Sequence, residues 1–163
     1  MKSVYLIGFM GSGKTSVAQQ LAAKLKMPLV DTDVVIEENN KISIPEIFSN
    51  YGERTFREFE HRALIEQPTE DTIISTGGGI VETKANTKWL ERHGTVIYLE
   101  TSWEEVVQRL KNDSSRPLWN NDQLNKKKLF ERRASLYKDA ASIIICTDKK
   151  TPEEIANEII TLI

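Results

Sequence analysis

Gly8-Phe9-Met10-Gly11-Ser12-Gly13-Lys14-Thr15 satisfies the pattern G-x-x-x-x-G-K-S/T. Its context gives the match weight, because a short apolar run, Val4 to Ile7, precedes it and reads as a buried strand. After it, Val17, Leu21 and Leu25 fall on one face of a helix predicted from Thr15 to Leu25. Glycines at these positions let successive backbone N–H groups turn inward around a phosphate with no Cβ in the way. The following helix N-terminus adds about half a positive charge at the same point. Lys14 is placed to reach the β- and γ-phosphates and Thr15 Oγ to ligate Mg²⁺.

Outward from this loop, the chain alternates strand and helix patterns. Leu29-Val30 is a second strand, Thr72 to Ser75 a third, Thr95 to Leu99 a fourth and Ile143 to Ile145 a fifth. Ser43-Ile44-Pro45-Glu46 reads as a capping box opening a helix that stops near Gly52, and another helix covers Thr55 to Ile65. Ser102-Trp103-Glu104-Glu105 caps a helix whose apolar side is Val106, Val107 and Leu110. A charged helix runs from about Leu124 to Lys138, and Thr151-Pro152 opens the last one. The pattern predicts an α/β fold of three layers, α/β/α, on a five-stranded parallel sheet, as one domain over 1–163. Asn112 to Gln123 is polar and has no period, so the segment at about 112–123 is expected to be a lid. Asp31 to Asp33 and Gly77 to Gly79 follow strands, where ligands of such folds sit.

Composition narrows the classes. At 163 residues and 39% apolar, the chain can bury one substantial core. Its 22 basic and 24 acidic side chains give a net charge of −2, which speaks against nucleic-acid binding. No apolar run reaches the roughly 20 residues that span a bilayer, and the protein is expected to be a cytoplasmic monomer. A lone cysteine, Cys146, excludes an internal disulfide and reads as a small buried hydrophobe in the last strand.

A phosphate loop alone does not separate a GTPase, a motor ATPase and a kinase. Guanine-specific proteins carry Asn-Lys-x-Asp after a late strand, and Cys146-Thr147-Asp148-Lys149 does not match it. The third strand, where an aspartate would normally hold the metal, ends instead in Ser75-Thr76 and glycines. Asp31 and Asp33 are the carboxylates available to replace it.

Five further motifs resemble the shikimate kinase family. They are Asp31-Thr32-Asp33, Gly52-Glu53-x-x-Phe56-Arg57-x-x-Glu60, Gly77-Gly78-Gly79, Arg116-Pro117-Leu118 and Arg133-x-x-Leu136-Tyr137, in the family's order and close to its spacing. The resemblance spans Val4 to Pro152 and implies a P-loop kinase fold with a lid loop. It implies transfer of the ATP γ-phosphoryl to the 3-hydroxyl of shikimate in aromatic amino-acid biosynthesis, with Mg²⁺ as cofactor. By the same resemblance, the acceptor-binding helices cover about 33–66. Lys14, Asp33 and Arg116 are implied as catalytic, with Asp33 on the acceptor hydroxyl and Arg116 on the transferring phosphate. Gly11, Ser12, Gly13, Lys14, Thr15 and Ser16 are implied to bind ATP, with Arg116 from the lid and with Arg109 and Pro152 about the adenine. Asp33, Arg57, Arg133 and the triplet Gly77, Gly78 and Gly79 are implied to hold the acceptor. Thr15 and, through water, Asp31 are implied to serve the metal.

Physical chemistry suits this set independently. A carboxylate with three hydroxyls needs guanidinium forks for the acid and a carboxylate for a hydroxyl. A loose phosphoryl-transfer transition state needs positioning and positive charge rather than covalent chemistry. Gluconate and nucleoside monophosphate kinases are the nearest rivals, and a nucleotide-dependent switch is a rival of another class. Phe56-Arg57-x-x-Glu60 and the glycine triplet favour shikimate kinases over the first two. Intact Lys14, Thr15, Asp31, Asp33 and Arg116 speak against a degenerate switch. Glu60 is expected to orient Arg57 from one helical turn away. His61 and His93 read as surface residues, and Trp119 departs from the aliphatic or phenylalanine residue more common after Pro-Leu.

Overall fold

The computed structural model describes residues 1–112 and 122–163. The expected lid falls almost wholly outside the described residues, as do Arg116 and Trp119. Strands β1 (Ser3–Ile7), β2 (Leu29–Asp31), β3 (Ile73–Ser75), β4 (Gly94–Glu100) and β5 (Ile143–Cys146) form one five-stranded sheet in the order β2-β3-β1-β4-β5. Every pairing is parallel. The helices are α1 (Lys14–Leu25), α2 (Thr32–Asn40), α3 (Ile44–Ile65), α4 (Lys84–His93), α5 (Trp103–Lys111), α6 (Gln123–Ala140) and α7 (Pro152–Ile160). A 3-10 turn covers Ile80–Glu82.

Alternation along the strands makes the three layers. Val4 and Leu6 of β1 pack with Ile97 and Leu99 of β4 against Val17 and Leu21 of α1 and Ile155 and Ile159 of α7. Tyr5 and Ile7 face the other way, with Val96 and Tyr98, toward Leu90 of α4, Val106 of α5 and Tyr137 of α6. Burying both faces makes the central strand read as an unbroken apolar run. A separate cluster of Ile36, Ile47, Phe56 and Ala63 holds α2 and α3 together beside the sheet.

Helix ends follow their capping chemistry. Ser43 Oγ accepts Glu46 N and Ser102 Oγ accepts Glu105 N. Thr151 and Glu154 form the full reciprocal box with Pro152 in the first turn. The expected break near Gly52 is present, since α3 departs from helical geometry there at φ 82° and ψ 172°. That left-handed φ is why glycine stands at the break.

Three expectations are corrected. Cys146 is exposed, because β5 is an edge strand and Ile144 on it is also exposed. His61 and His93 are half-buried and partnered: His61 Nδ1 meets Asn86 Oδ1 at 2.7 Å, and His93 stacks on Trp89 with ring centroids 3.8 Å apart. Helix α4 has no counterpart among the predicted elements. Its fully buried residues are Asn86 and Leu90, with Trp89 packed beside them, so a polar side chain interrupts its short inward face. The acidic turn Thr69-Glu70-Asp71 ties down the start of β1, as Thr69 O accepts Ser3 N and Asp71 N donates to Met1 O. Among the described residues, no helix is long and apolar enough to cross a membrane.

Candidate active site

Parallel register sets the floor of the site. Leu6 and Asp31 both pair with Ser75, so the carboxyl ends of β1, β2 and β3 lie level. A pocket of about 450 Å³ opens above them. One wall is the phosphate loop, where Gly11 and Gly13 hold left-handed φ values of 82° and 89°. Gly13 is the N-cap of α1 and has no side-chain cap, which leaves the helix N–H donors facing the pocket mouth. Lys14 Nζ folds back over the loop, donating to Gly8 O at 2.7 Å and Phe9 O at 3.1 Å. Lys14, Thr15 and Ser16 line the pocket, and the side chain of Ser12 is buried beneath the loop.

The second wall begins at the end of β2. Asp31 Oδ1 accepts Asp33 N at 2.9 Å and Val34 N at 3.4 Å, so this carboxylate is also the N-cap of α2. The capping turn aims Asp33 across the pocket at Gly77. A Cβ on Gly77 would lie 2.7 Å from Asp33 Oδ1 and 3.3 Å from Glu60 Oε2, so the two carboxylates converge on that glycine. Glu60 is 1% exposed and its Oε2 has no hydrogen-bond partner among the described residues. Burial pushes its carboxyl above the ordinary carboxylate range, with Arg57 opposing and Asp33 adding to the rise.

Arg57 occupies the third side, on the segment of α3 beyond the Gly52 break. Its Nη1 donates to Glu60 Oε1 at 2.9 Å and to Gly79 O at 3.1 Å, and its Nη2 to Glu53 Oε1 at 3.3 Å. The side chain is 16% exposed, so it is not part of a solvated helix face, and Glu60 orients it as expected. Two of the three glycines, Gly77 and Gly79, are explained by side chains as much as by any ligand. A Cβ on Gly79 would fall 2.3 Å from Arg57 Nη1, so only glycine lets the guanidinium lie flat on the backbone.

Helix α6 closes the pocket with Arg133, the less exposed of two neighbouring arginines; Arg132 points outward. Tyr137 OH donates to Gly78 O at 2.5 Å, and burial pushes that phenol far above its ordinary pKa. Arg109 and Pro152 do not line this pocket. Arg109 instead bridges Gly11 O at 3.2 Å and Thr147 O at 3.3 Å, on the outer side of the loop. Residues that the sequence reading passed over include Thr32, whose buried hydroxyl accepts Gly77 N, and Glu82, which binds Arg133. Thr32 lies inside the quoted Asp31-Thr32-Asp33 motif, whose flanking carboxylates drew the attention, whereas only a contact 51 positions away marks Glu82.

A phosphate loop facing convergent carboxylates and guanidiniums across one small pocket can carry a phosphoryl group to a small acceptor, and with this sheet order the chain is a P-loop kinase. The family model for shikimate kinase matches residues 10–163. The shikimate kinase of Bacillus cereus (strain G9842) is 42% identical over 160 residues, covering 98% of this chain and 96% of that one. That of Sulfurihydrogenibium sp. (strain YO3AOP1) is 44% identical over 166 residues, covering 100% and 98%. Among solved structures, shikimate kinase from Acinetobacter baumannii in complex with shikimate superposes with a TM-score of 0.90 at 33% identity, covering 99% and 92%. The chain belongs to the shikimate kinase family.

Proposed function

We propose that this chain transfers the γ-phosphoryl group of ATP to the 3-hydroxyl of shikimate, releasing ADP and shikimate 3-phosphate. The observation that carries this reading is the pairing, within one pocket beside Lys14, of the Asp33 carboxylate with the Arg57 and Arg133 guanidiniums. A polyhydroxylated acid needs that combination, with acceptors for hydroxyls and planar forks for the carboxylate. The A. baumannii relative carries shikimate.

In this reading the loop N–H groups of Gly11, Ser12 and Gly13, with Ser16 beyond them, cradle the phosphates. Lys14 leaves its two loop carbonyls to follow the charge onto the transferring group. Asp33 accepts a hydrogen bond from the attacking hydroxyl and aims its lone pair at the γ-phosphorus. The hydroxyl oxygen bonds to phosphorus as the bridging β–γ oxygen leaves with ADP, and the hydroxyl proton passes to Asp33. Arg57, Arg133 and the backbone at Gly77, Gly78 and Gly79 seat the acceptor, with Glu60 and Asp33 on its hydroxyl side. Glu53 is 67% exposed, so its pair with Arg57 yields readily to an incoming carboxylate. Arg109 and Pro152 flank the adenine, and Arg116 joins the transferring phosphate from outside the described residues.

The donor set fits Mg²⁺ that arrives with the nucleotide. Thr15, Asp31 and Asp33 offer hard oxygens to one pocket, and the described residues hold no cluster of three or more His, Cys, Asp or Glu side chains able to cage a metal. Asp31 already spends one oxygen on its cap, which suits a contact through water. When bound, the ion would neutralise charge on the β- and γ-phosphates. Both walls of the pocket come from one chain, and we propose that it works as a cytoplasmic monomer.

A coupled ADP-release assay with Mg·ATP tests the acceptor, comparing shikimate, quinate, gluconate, AMP and no acceptor. Turnover is expected with shikimate; turnover with gluconate or AMP in its place would overturn the assignment. Gly79→Ala offers a second check, since its methyl would push the Arg57 guanidinium off the backbone. Displacing a well-packed group typically costs about 1–3 kcal/mol, so the shikimate KM is expected to rise about tenfold while the ATP KM holds. An unchanged shikimate KM would show that Arg57 does not need that seat.

A further inference from the structure

Glu82 ends the 3-10 turn that follows the glycine triplet, and its carboxylate bridges two arginines of α6. Oε1 accepts Arg133 Nε at 2.9 Å and Oε2 accepts Arg132 Nη1 at 2.7 Å. The two pairs are unequal. Arg133 is 11% exposed and lines the acceptor pocket, whereas Arg132 is 57% exposed and does not. An exposed ion pair contributes little, but a charge-assisted bond to a buried guanidinium restricts it strongly.

Geometry says what the restriction achieves. With Nε committed to Glu82, the edge of the Arg133 fork turned toward the pocket is the pair of Nη atoms, and the guanidinium also meets the Tyr137 hydroxyl. Nη1 lies 3.5 Å from the point where a Cβ on Gly78 would stand, over the backbone that Tyr137 OH also braces. We propose that Glu82 is a positioning residue for the acceptor site: it grips Arg133 from behind so that the Nη edge meets the acceptor carboxylate end-on. This rests on the reading of the acceptor given above. A flexible arginine loses rotamer freedom on binding an anion, and one already held loses less, so the grip acts on acceptor affinity. Burial alone would raise the Glu82 carboxyl, but hydrogen bonds from Arg132 and Arg133 outweigh it and hold the group below the ordinary carboxylate range, in keeping with a permanent anion.

Glu82 also lines a cleft of about 650 Å³ between α4, α6 and β4, so trimming it opens no sealed cavity and the fold should survive. Steady-state kinetics with Mg·ATP and shikimate should compare wild type with Glu82→Ala, Glu82→Gln and Arg132→Ala. Glu82→Ala is expected to raise the shikimate KM about tenfold or more, with kcat and the ATP KM within about twofold. Glu82→Gln keeps an acceptor for Nε without the charge, and a rise of about threefold is expected. Arg132→Ala should leave all three constants at wild-type values. If Glu82 only ties the 3-10 turn to α6, Glu82→Ala and Arg132→Ala will lower Tm together with the shikimate KM unmoved, which overturns the proposal. Should Glu82→Ala fail to fold, an unchanged KM in the near-isosteric Glu82→Gln overturns it equally. A wild-type enzyme that turns over no shikimate would instead overturn the acceptor reading on which this rests.

Discussion

Asp33→Asn is expected to lower kcat by about 10²–10⁴-fold while ATP binding persists. The side chain sits in the first turn of α2 and points at Gly77, on the acceptor side of the pocket. Asparagine keeps its size and shape but exchanges one acceptor oxygen for a donor NH₂. The attacking hydroxyl then loses either its hydrogen-bond acceptor or its alignment on phosphorus. Structural damage should be small, because Asp31 rather than Asp33 caps α2 and that cap, worth about 1 kcal/mol, is untouched. Single-turnover kinetics beside an ATP titration would read both quantities. A near-normal kcat would remove Asp33 from the reaction and leave it as a wall of the pocket.

Arg57→Ala carries the second large effect, on acceptor binding rather than turnover. Truncating one partner of a buried, hydrogen-bonded charge pair costs about 2–5 kcal/mol, and shikimate affinity is expected to fall by that amount. The same change strands Glu60, 1% exposed, without the cation that offsets its burial. Breaking a buried pair from one side costs about 3–5 kcal/mol of stability, so the single variant mixes two losses. Arg57→Ala combined with Glu60→Gln removes the stranded charge and separates them. In that pair, Tm should recover while shikimate affinity, read by calorimetry, stays low. Wild-type affinity in the folded double variant would return Arg57 to a structural role.

Local signals explain which parts were legible beforehand. The phosphate loop was readable because its chemistry lies in eight consecutive residues between a strand and a helix, with no distant contact needed. Caps at Ser43, Ser102 and Thr151 and the break at Gly52 were readable for the same reason: each is settled within one helical turn. Family motifs carried Arg57 and Arg133, whose own neighbourhoods look like charged helix faces. Helix α4 escaped because Asn86, fully buried, satisfies His61 and Ile80 O rather than joining an apolar stripe. Cys146 misled because four apolar residues in a row look the same on a central strand and on an edge strand.

By itself, the sequence determined the alternating strands and helices, the phosphate-binding loop and the class of chemistry, since periodicity and short-range capping act between residues a few positions apart. Only the tertiary structure decided which charges meet. It set Asp33 and Glu60 on Gly77, laid Arg57 flat on Gly79, and put Glu82 behind Arg133, across 51 positions of sequence. Such pairs depend on strand register and helix packing, which bring distant groups within hydrogen-bond reach and out of water together. Burial then gives those charges their strength, and no stretch of sequence read alone contains that information.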